Sequence, residues 1–425
     1  MSRSLKIVLV NYRYFISGGP ERYYFNIKEV LENKGHLVIP FSIKSEKNLP
    51  TPYDHYFLSK VDDEAYFSQY KKTPVTLIKS FTRMFYSSEA RRKFGSLLLK
   101  EKPDIVYIMQ YHNKISPSII IAAKKLNIPV VHRISDFQYI CANALFHNDI
   151  VGVCEKCLAG SKWNAVRYKC VLNSRFYSFV KIAAQKFYEI LKITEKIDAF
   201  IVPSAFTVSK LLQYGISPEK LYLVPTFFNR HLINNKSEIV YNSFALYVGR
   251  IEKQKGLLTM IKAFENTNHH LKIIGFSNDG YEEFLKEYSA GKKNIEFLGR
   301  KKFDEIIPFL SSCLFSIVPS EIYDNFPNAV IESYAFQKAV IASNLGSLKE
   351  LVLDAETGLL FEAGNSADLS LKLELLFSNP ELCKKMGKNA ITYLEESFSE
   401  DSHYLKLMEV FDRLIKNRPT DYKLK

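Results

Sequence analysis

The chain has 425 residues, of which 47% are hydrophobic and 24% charged, and its 17 Gly and 16 Pro are scattered; this excludes collagen-like and low-complexity proteins and predicts two domains of about 100–200 residues each. The net charge is +13: residues 1–205 carry 31 Lys and Arg against 17 Asp and Glu, which gives +14, and residues 206–425 carry 27 against 28, which gives −1. A basic half predicts an anionic partner, with solubility alone as the alternative. No apolar run reaches the about 18–20 residues that span a bilayer, and the run at 7–10 is too short for a signal-peptide core and lacks a small-residue cleavage site, so we expect a cytoplasmic location.

Short β-branched runs alternate with helical stretches along the whole chain. The first series of predicted strands covers 7–10, 37–41, 105–109, 130–134 and 199–202, and a long amphipathic helix is predicted at 175–196. The second series covers 244–248, 271–274, 295–298, 314–318 and 339–342, and a last amphipathic helix is predicted at 402–416. Continuous apolar strands separated by helices are typical of parallel sheets covered on both faces.

Two such series predict an α/β fold in which two doubly wound, Rossmann-like domains face each other across a deep cleft. The break falls in the Pro- and Asn-containing stretch 225–236, which gives domains at 1–225 and 226–401. We expect the C-terminal helix in 402–425 to pack back on the first domain. Ligands of open parallel sheets bind beyond the carboxyl ends of the strands, so the chemistry should come from the loops there.

The first domain carries a cysteine-rich insertion at 141–170. Its four cysteines are spaced C-x12-C-x2-C-x12-C, at Cys141, Cys154, Cys157 and Cys170. In a cytosolic chain this spacing favours a structural zinc site over disulfides, with incidental thiols as the alternative. Four thiolate ligands leave no open position for catalysis, so the zinc would rigidify a lid beside the cleft.

Three strand-to-helix loops carry the chemistry. Gly18 and Gly19 allow close backbone approach at a helix N-terminus, although a plain turn is the alternative and the spacing is not that of a dinucleotide site. In the second domain, Arg250 and Lys255 follow Gly249 beside a helix start, where two cations suit a diphosphate.

The third loop, at 319–332, places two carboxylates near another helix start. Asp324 lies in the loop and Glu332 lies within the predicted helix, and the backbone around 326–329 lies where a phosphate fits. Carboxylates accept hydrogen bonds from sugar hydroxyls, and the cations of the neighbouring loop suit phosphate. Together these residues predict a site for a nucleotide sugar.

With these segments in order, the chain resembles the retaining glycosyltransferases of family 4, which have the GT-B fold. Further weak matches are Gly35-His36, Pro203-Ser204 and Phe297-Leu298-Gly299. The resemblance implies transfer of a sugar from a nucleotide-diphosphate sugar to a glycan or lipid-linked acceptor in cell-surface glycan synthesis, without a catalytic metal. It also implies the role of each matched residue: Arg250 and Lys255 on the diphosphate, Glu332 on the ribose, Asp324 on the transferred sugar, Phe326, Pro327 and Asn328 as backbone contacts, and Gly18, Gly19 and Gly249 as points of close approach.

Two departures from the family pattern matter. Asp324 stands where the family usually has Glu, and Glu321 is a conceivable substitute. Ser135-Asp136 stands where many relatives have His-Asp, so His112, His132 and Asp136 are the candidates to orient the acceptor. These departures leave open a second hypothesis, a catalytically impaired GT-B-like binding or scaffold protein.

The stretch 66–94 interleaves cations and aromatic residues. This pattern suits an anionic lipid interface or a single-stranded nucleic acid, with an ordinary solvated helix face as the alternative. The family resemblance favours the inner face of a membrane, and we expect no nucleic-acid partner. The helix at 175–196 is a second candidate for the lipid interface, although core packing is the favoured interpretation of its aromatic residues.

Overall fold

The computed structural model describes residues 3–60, 73–229 and 238–418. Two parallel six-stranded sheets flanked by helices form the molecule. The predicted α/β fold of two doubly wound, Rossmann-like domains is therefore confirmed. Part of the predicted interdomain break, 230–236, lies outside the described residues, as do 66–72 of the basic-aromatic stretch and 419–425.

Apolar strands with helices on both faces build the first sheet. Alternate residues of its first strand in the chain enter different cores, with Val8 and Val10 on one side and Ile7 and Leu9 on the other. The strands are β1 (Lys6–Val10), β2 (Leu37–Phe41), β3 (Ile105–Ile108), β4 (Val130–Arg133), β7 (Ala199–Val202) and β8 (Leu221–Leu223). They lie side by side in the order β2-β1-β3-β4-β7-β8. A small antiparallel hairpin of β5 (His147–Asn148) and β6 (Gly152–Val153) lies in the cysteine-rich insertion.

The helices of the first half differ from the sequence prediction at one place. The single helix expected at 175–196 is two helices, because Lys192 adopts a left-handed conformation (φ 53°) between them. The helices are α1 (Gly19–Asn33), α2 (Pro74–Phe85), α3 (Ser88–Glu101), α4 (Ser118–Lys125), α5 (Lys156–Ala159), α6 (Asn164–Arg167), α7 (Arg175–Ile190), α8 (Ile193–Lys196) and α9 (Ala205–Tyr214).

The second sheet contains the five predicted strands and one that the sequence analysis missed, β14. Its strands are β9 (Phe244–Val248), β10 (His270–Ile274), β11 (Ile295–Phe297), β12 (Phe315–Val318), β13 (Ala339–Ser343) and β14 (Gly358–Phe361). They lie side by side in the order β11-β10-β9-β12-β13-β14. Its helices are α10 (Leu257–Phe264), α11 (Tyr281–Tyr288), α12 (Phe303–Ser312), α13 (Asn328–Ala335), α14 (Leu348–Leu351), α15 (Ser366–Phe377) and α16 (Pro380–Ser397).

The last helix, α17 (Glu400–Lys416), packs on the first sheet although it follows the second in the chain. Leu407 and Phe411 are buried in a core of the first domain. His403 Nε2 lies 2.9 Å from the Tyr23 hydroxyl, which fixes the end of the helix to α1. In the described ranges, no helix has the length and apolarity that crossing a membrane requires.

Candidate functional site

Two loops of the second domain pack closely against each other at the carboxyl ends of β9 and β12. A 3-10 turn at Lys253–Lys255 is followed by Gly256, whose φ is 71°. A Cβ atom at Gly256 would lie 1.9 Å from the carbonyl oxygen of Pro319, so only glycine allows this approach. The Glu321 amide also donates to the carbonyl oxygen of Gln254 at 2.9 Å. The turn that carries Lys255 is therefore fixed against the end of β12.

This packing brings Lys255 to Asp324. The Lys255 Nζ donates to Asp324 Oδ1 at 2.5 Å, and both side chains are mostly buried. Asp324 Oδ2 is also buried and has no hydrogen-bond partner within the part of the chain that the structure describes. Glu321 instead accepts a hydrogen bond from the Thr259 hydroxyl at 2.6 Å. The geometry thus favours Asp324 over Glu321 as the carboxylate beside the lysine.

Arg250 is placed differently from Lys255. Its Nη1 lies 2.6 Å from Glu252 Oε1, and its side chain is half exposed. The Tyr247 hydroxyl donates to the Arg250 carbonyl oxygen at 2.7 Å, and a Cβ at Gly249 would lie 2.8 Å from that hydroxyl. The ion pair of Arg250 is with Glu252, so its guanidinium does not share the contact that joins Lys255 to Asp324.

Glu332 faces the first domain. Its Oε1 lies 2.7 Å from Nη1 of Arg22, a residue of α1 that the sequence analysis did not single out. A Cβ at Gly19 would lie 3.1 Å from the side-chain amide nitrogen of Asn328, the first residue of α13. The N-terminal ends of α1 and α13 therefore meet across the cleft, and both contribute positive potential there.

The backbone donors at the start of α13 differ in one residue from the sequence prediction. Pro327 is the N-cap residue and has no N–H group, so it contributes no donor. Donors at this end come from Phe326, Asn328 and the first turn of the helix. The four charged residues predicted to converge form three separate ion pairs: Lys255 with Asp324, Arg250 with Glu252, and Glu332 with Arg22.

The loop after β4 in the first domain reaches the Asp324 loop. The Asn325 side chain donates to the Ile134 carbonyl oxygen at 2.8 Å and accepts from the Thr207 hydroxyl at 2.7 Å. Asp136, two residues beyond Ile134, accepts from the Gln138 amide at 2.9 Å, and burial raises the pKa of its carboxyl. The structure thus brings the backbone of Ile134, two residues before Asp136, to the loop that contains Asp324.

His112 and His132 lie deeper, in a buried aromatic cluster. The Tyr139 hydroxyl lies 2.9 Å from His132 Nδ1, and burial lowers the pKa of His132 to about 3. His112 stacks on Tyr111 with ring centroids 4.0 Å apart, and burial lowers its pKa well below the usual range. Both rings are therefore neutral at pH 7, and His112 Nε2 has no hydrogen-bond partner among the described residues.

Lys181 is a buried cation next to these residues that the sequence analysis did not identify. The helix α7 turns it inward, where its Nζ donates to Asn113 Oδ1 at 2.8 Å and to Gln138 Oε1 at 3.0 Å. Burial lowers its pKa to about 8. A lysine inside an amphipathic helix gives no signal in the hydrophobic pattern, since its long stem can cover either face.

The four cysteines of the insertion are free thiols. Burial, together with the neighbouring thiols of Cys141, Cys170 and Cys154, raises the pKa of Cys157 to about 12. The insertion therefore brings all four within electrostatic range of one another. Across residues 3–60, 73–229 and 238–418, no group of three or more His, Cys, Asp or Glu is arranged to hold a metal ion. The structural zinc stays a prediction from the spacing.

Comparison with known proteins gives the family. Residues 17–231 match the profile of Glycosyltransferase Family 4, and residues 229–393 match that of Glycosyl transferases group 1. An uncharacterized glycosyltransferase of Methanocaldococcus jannaschii is 30% identical over 79% of this chain and 90% of its own length. An N,N'-diacetylbacillosaminyl-diphospho-undecaprenol alpha-1,3-N-acetylgalactosaminyltransferase of Campylobacter jejuni is 24% identical over 83% of this chain and 85% of its own.

Solved structures share the fold over nearly the whole chain. A sucrose-phosphate synthase from Thermosynechococcus elongatus superposes with a TM-score of 0.70 at 19% identity, covering 97% of this chain and 100% of the other. HepE from Anabaena, in complex with UDP-glucose, has a TM-score of 0.64 at 14% identity, covering 96% and 100%. The chain therefore belongs to glycosyltransferase family 4 and has the GT-B fold.

Proposed function

We propose that the protein transfers a sugar, with retention of anomeric configuration, from a nucleotide-diphosphate sugar to a glycan or lipid-linked acceptor, without a catalytic metal. The observation that carries the proposal is the Lys255–Asp324 pair, in which the second carboxylate oxygen is buried and unpartnered within the described ranges. A buried acceptor without a donor costs about 1–3 kcal/mol, and a sugar hydroxyl would remove that cost. HepE with bound UDP-glucose and the Campylobacter enzyme, named for a diphospho-undecaprenol substrate, support the donor and acceptor classes.

In this proposal, different residues of the second domain bind different parts of the nucleotide-sugar donor. Lys255 and the N-terminus of α13 stabilise the negative charge that develops on the diphosphate as its bond to the anomeric carbon breaks. Arg250 exchanges its partner Glu252 for the diphosphate, because the guanidinium is half exposed and a solvent-accessible ion pair is worth only about 0–1 kcal/mol. Asp324 holds hydroxyls of the sugar, and Glu332 holds the ribose.

The first domain supplies the acceptor side. Asp136 lies two residues beyond Ile134, whose carbonyl oxygen accepts a hydrogen bond from Asn325, so Asp136 is the candidate to receive a hydrogen bond from the acceptor. His112 contributes as a neutral imidazole, because its pKa is lowered well below the usual range. Gly19 lets the N-terminus of α1 approach the donor beside Asn328.

The test measures release of nucleoside diphosphate from a panel of UDP- and GDP-sugars in the presence of lipid-linked acceptor. Lys255→Met is expected to lower kcat by about 100- to 1,000-fold, the usual loss when one such charge-stabilising group is removed. Lys253→Met is the matched control, because Lys253 lies in the same turn and is exposed. Equal turnover in both variants would contradict the assignment of Lys255.

Three further readouts separate the finer parts of the proposal. NMR of the product should show the donor's anomeric configuration, and an inverted product would overturn retention. Turnover should survive EDTA, and its loss would overturn the absence of a catalytic metal. Tight nucleotide binding with no release under any condition would favour the alternative, a GT-B-like binding protein.

A further inference from the structure

Helix α7 buries two polar side chains among apolar ones. Lys181 is 7% exposed, and Gln185, one turn later, is 5% exposed. The aromatic residues of the helix divide between core and surface, because Tyr188 is buried whereas Phe176 and Phe179 are exposed. Core packing is therefore the correct interpretation for Tyr188 and the wrong one for these two phenylalanines. The buried polar side chains need partners inside the domain, and both find them in the loops that follow β3 and β4.

Lys181 joins these two loops through their side-chain amides. Its Nζ donates to Asn113 Oδ1 at 2.8 Å and to Gln138 Oε1 at 3.0 Å. Asn113 Nδ2 also donates to Gln138 Oε1, at 3.1 Å. Asn113 directly follows His112, and Gln138 lies two residues beyond Asp136. The lysine therefore joins the two segments that carry the acceptor-site candidates.

The lysine also determines which way the Gln138 amide faces. An ammonium group can only donate hydrogen bonds, so the amide oxygen must face Lys181 and the amide NH2 group must face the other way. Asp136 lies on that other side: Gln138 Nε2 donates to its Oδ2 at 2.9 Å, and the Gln138 backbone N–H donates to its Oδ1 at 2.9 Å. If the amide were rotated by 180°, its oxygen would face the carboxylate, and a hydrogen bond would be replaced by repulsion.

Gln185 holds the backbone of the same loop. Its Nε2 donates to the carbonyl oxygen of Gln138 at 2.6 Å and to that of Cys141 at 3.4 Å. Helix α7 therefore fixes Gln138 at both its main chain and its side chain, from two positions one turn apart. Both carboxylate oxygens of Asp136 are bonded by Gln138, and Asp136 is still partly exposed, as a group that contacts a substrate must be.

The charge of Lys181 acts on Asp136 over a longer distance. Both hydrogen bonds of the Lys181 ammonium described above are to neutral amides, and burying a cation costs free energy that a methionine of similar length would avoid. Burial raises the pKa of the Asp136 carboxyl, whereas the hydrogen bonds from Gln138 and the positive charge of Lys181 lower it. The buried cation thus favours the ionised form of Asp136.

Other titratable groups also face this charge pair, and they are neutral at pH 7. Tyr111 and Tyr139 interact with the Asp136 carboxyl, and burial raises the pKa of both hydroxyls well above the usual range. Burial also raises the pKa of the free Cys141 thiol and lowers that of His112, the two groups that interact with the Lys181 ammonium. None of these four groups supplies a positive charge that could replace that of Lys181.

We propose that Lys181 is a positioning residue of the acceptor site, which holds Asp136 in its orientation and in its ionised form through the amide of Gln138. This role deepens the proposed function and rests on it, because Asp136 is there the group that receives a hydrogen bond from the acceptor hydroxyl. An ionised carboxylate only accepts hydrogen bonds, so a protonated or rotated Asp136 binds that hydroxyl less well. Lys181 itself touches no substrate.

The pH dependence of kcat/KM for the acceptor tests this role with the full chain. Lys181→Met removes the charge and the donor but keeps the length of the side chain, so the acidic limb of the profile should move up by about 1 pH unit, as on loss of a nearby opposite charge. At pH 7 the KM for the acceptor should rise about tenfold, and the KM for the nucleotide sugar should not change. Gln138→Met should move the acidic limb in the same direction, and it decides the question if Lys181→Met does not fold.

Lys338→Met is the matched control. Lys338 is also fully buried, its Nζ lies 3.7 Å from the centroid of the Tyr241 ring, and burial lowers its pKa to about 8, as for Lys181. It lies in the second domain, directly before β13. Lys338→Met should alter Tm while leaving the acidic limb in place. An unmoved limb in Lys181→Met or in Gln138→Met, or an equal movement in Lys338→Met, would overturn the proposal.

A measurement without substrate separates this role from the transfer reaction. Urea unfolding at pH 7 compares Lys181→Met, Asp136→Asn and the double variant. Loss of Lys181 should lower the urea midpoint less in the Asp136→Asn background, because no carboxylate is then left without its counter-charge. Additive midpoint shifts would overturn the link between the two residues, whether or not transfer is detected. Coupled shifts in a protein whose wild type transfers no sugar would support the link and contradict the proposed function.

Discussion

The backbone conformation of Gly256 fixes the turn that positions Lys255, and substitution of Gly256 by alanine tests this role. The residue has φ 71° and caps α10, with the lysine immediately before it. Gly256→Ala adds a methyl group at a point 1.9 Å from the Pro319 carbonyl oxygen. The substitution therefore imposes two costs, a strained backbone and a clash with the end of β12.

The two costs have different consequences. The left-handed conformation costs a non-glycine residue about 1–2 kcal/mol, which lowers the free energy of unfolding. The clash can be relieved only by moving the turn away from β12 by about 1 Å or more, and this moves Lys255 away from Asp324. A displacement of about 1 Å at a reacting centre can cost about 100-fold in rate.

Gly280→Ala separates these effects. Gly280 also caps a helix, α11, with φ 82°, but nothing lies within 4 Å of its added Cβ. Urea unfolding should show a loss of about 1–2 kcal/mol for Gly280→Ala and a larger loss for Gly256→Ala. Steady-state assays should show near wild-type kcat/KM for Gly280→Ala and a loss of about 100-fold for Gly256→Ala. Equal kcat/KM in the two variants would refute the role of the turn.

Three further predictions concern the rest of the molecule. Burial lowers the pKa of His132 and of His403 to about 3, so below pH 6.5 the unfolded chain binds protons that the folded protein does not bind. The free energy of unfolding should therefore fall as the pH drops from about 6 to 4, by up to about 1.4 kcal/mol per pH unit per group. In urea titrations, His403→Gln should lose the contribution of His403 to this pH dependence. Phe411→Ala, in α17 against Tyr107, should lower the free energy of unfolding by about 3–5 kcal/mol, and a loss below 1 kcal/mol would contradict the docking of that helix. The cysteine spacing predicts that a mercurial reagent releases one zinc ion per chain. Release of no zinc would refute the predicted structural zinc site.

The sequence predicts those features that repeat along the chain. Apolar runs such as 37–41 and 244–248 become strands with the same bounds, because parallel strands covered on both faces are continuously apolar. The strands β14 (Gly358–Phe361) and β8 (Leu221–Leu223) are missed, since neither contains a β-branched residue. The carboxylate and cation loops are also predictable, because they follow strands whose carboxyl ends share one edge of the sheet.

Contacts between the lobes are not predictable in this way. Arg22 meets Glu332, and Asn325 meets Ile134, only because the two sheets approach each other, and no local spacing encodes that distance. For a related reason, the sequence does not show which face of α2 is buried. Its periodicity shows an apolar stripe, but only the fold shows that the stripe containing Ile78 faces outward while Arg83 faces inward.

A crystal structure of the protein with a nucleoside diphosphate tests the central claim most directly. The account predicts that Lys255 Nζ and the first backbone amides of α13 lie within about 3 Å of phosphate oxygens, as expected for charge-assisted hydrogen bonds. With an intact nucleotide sugar, a sugar hydroxyl should donate to Asp324 Oδ2. Phosphates bound elsewhere, with the Lys255–Asp324 pair undisturbed at 2.5 Å, would contradict the account.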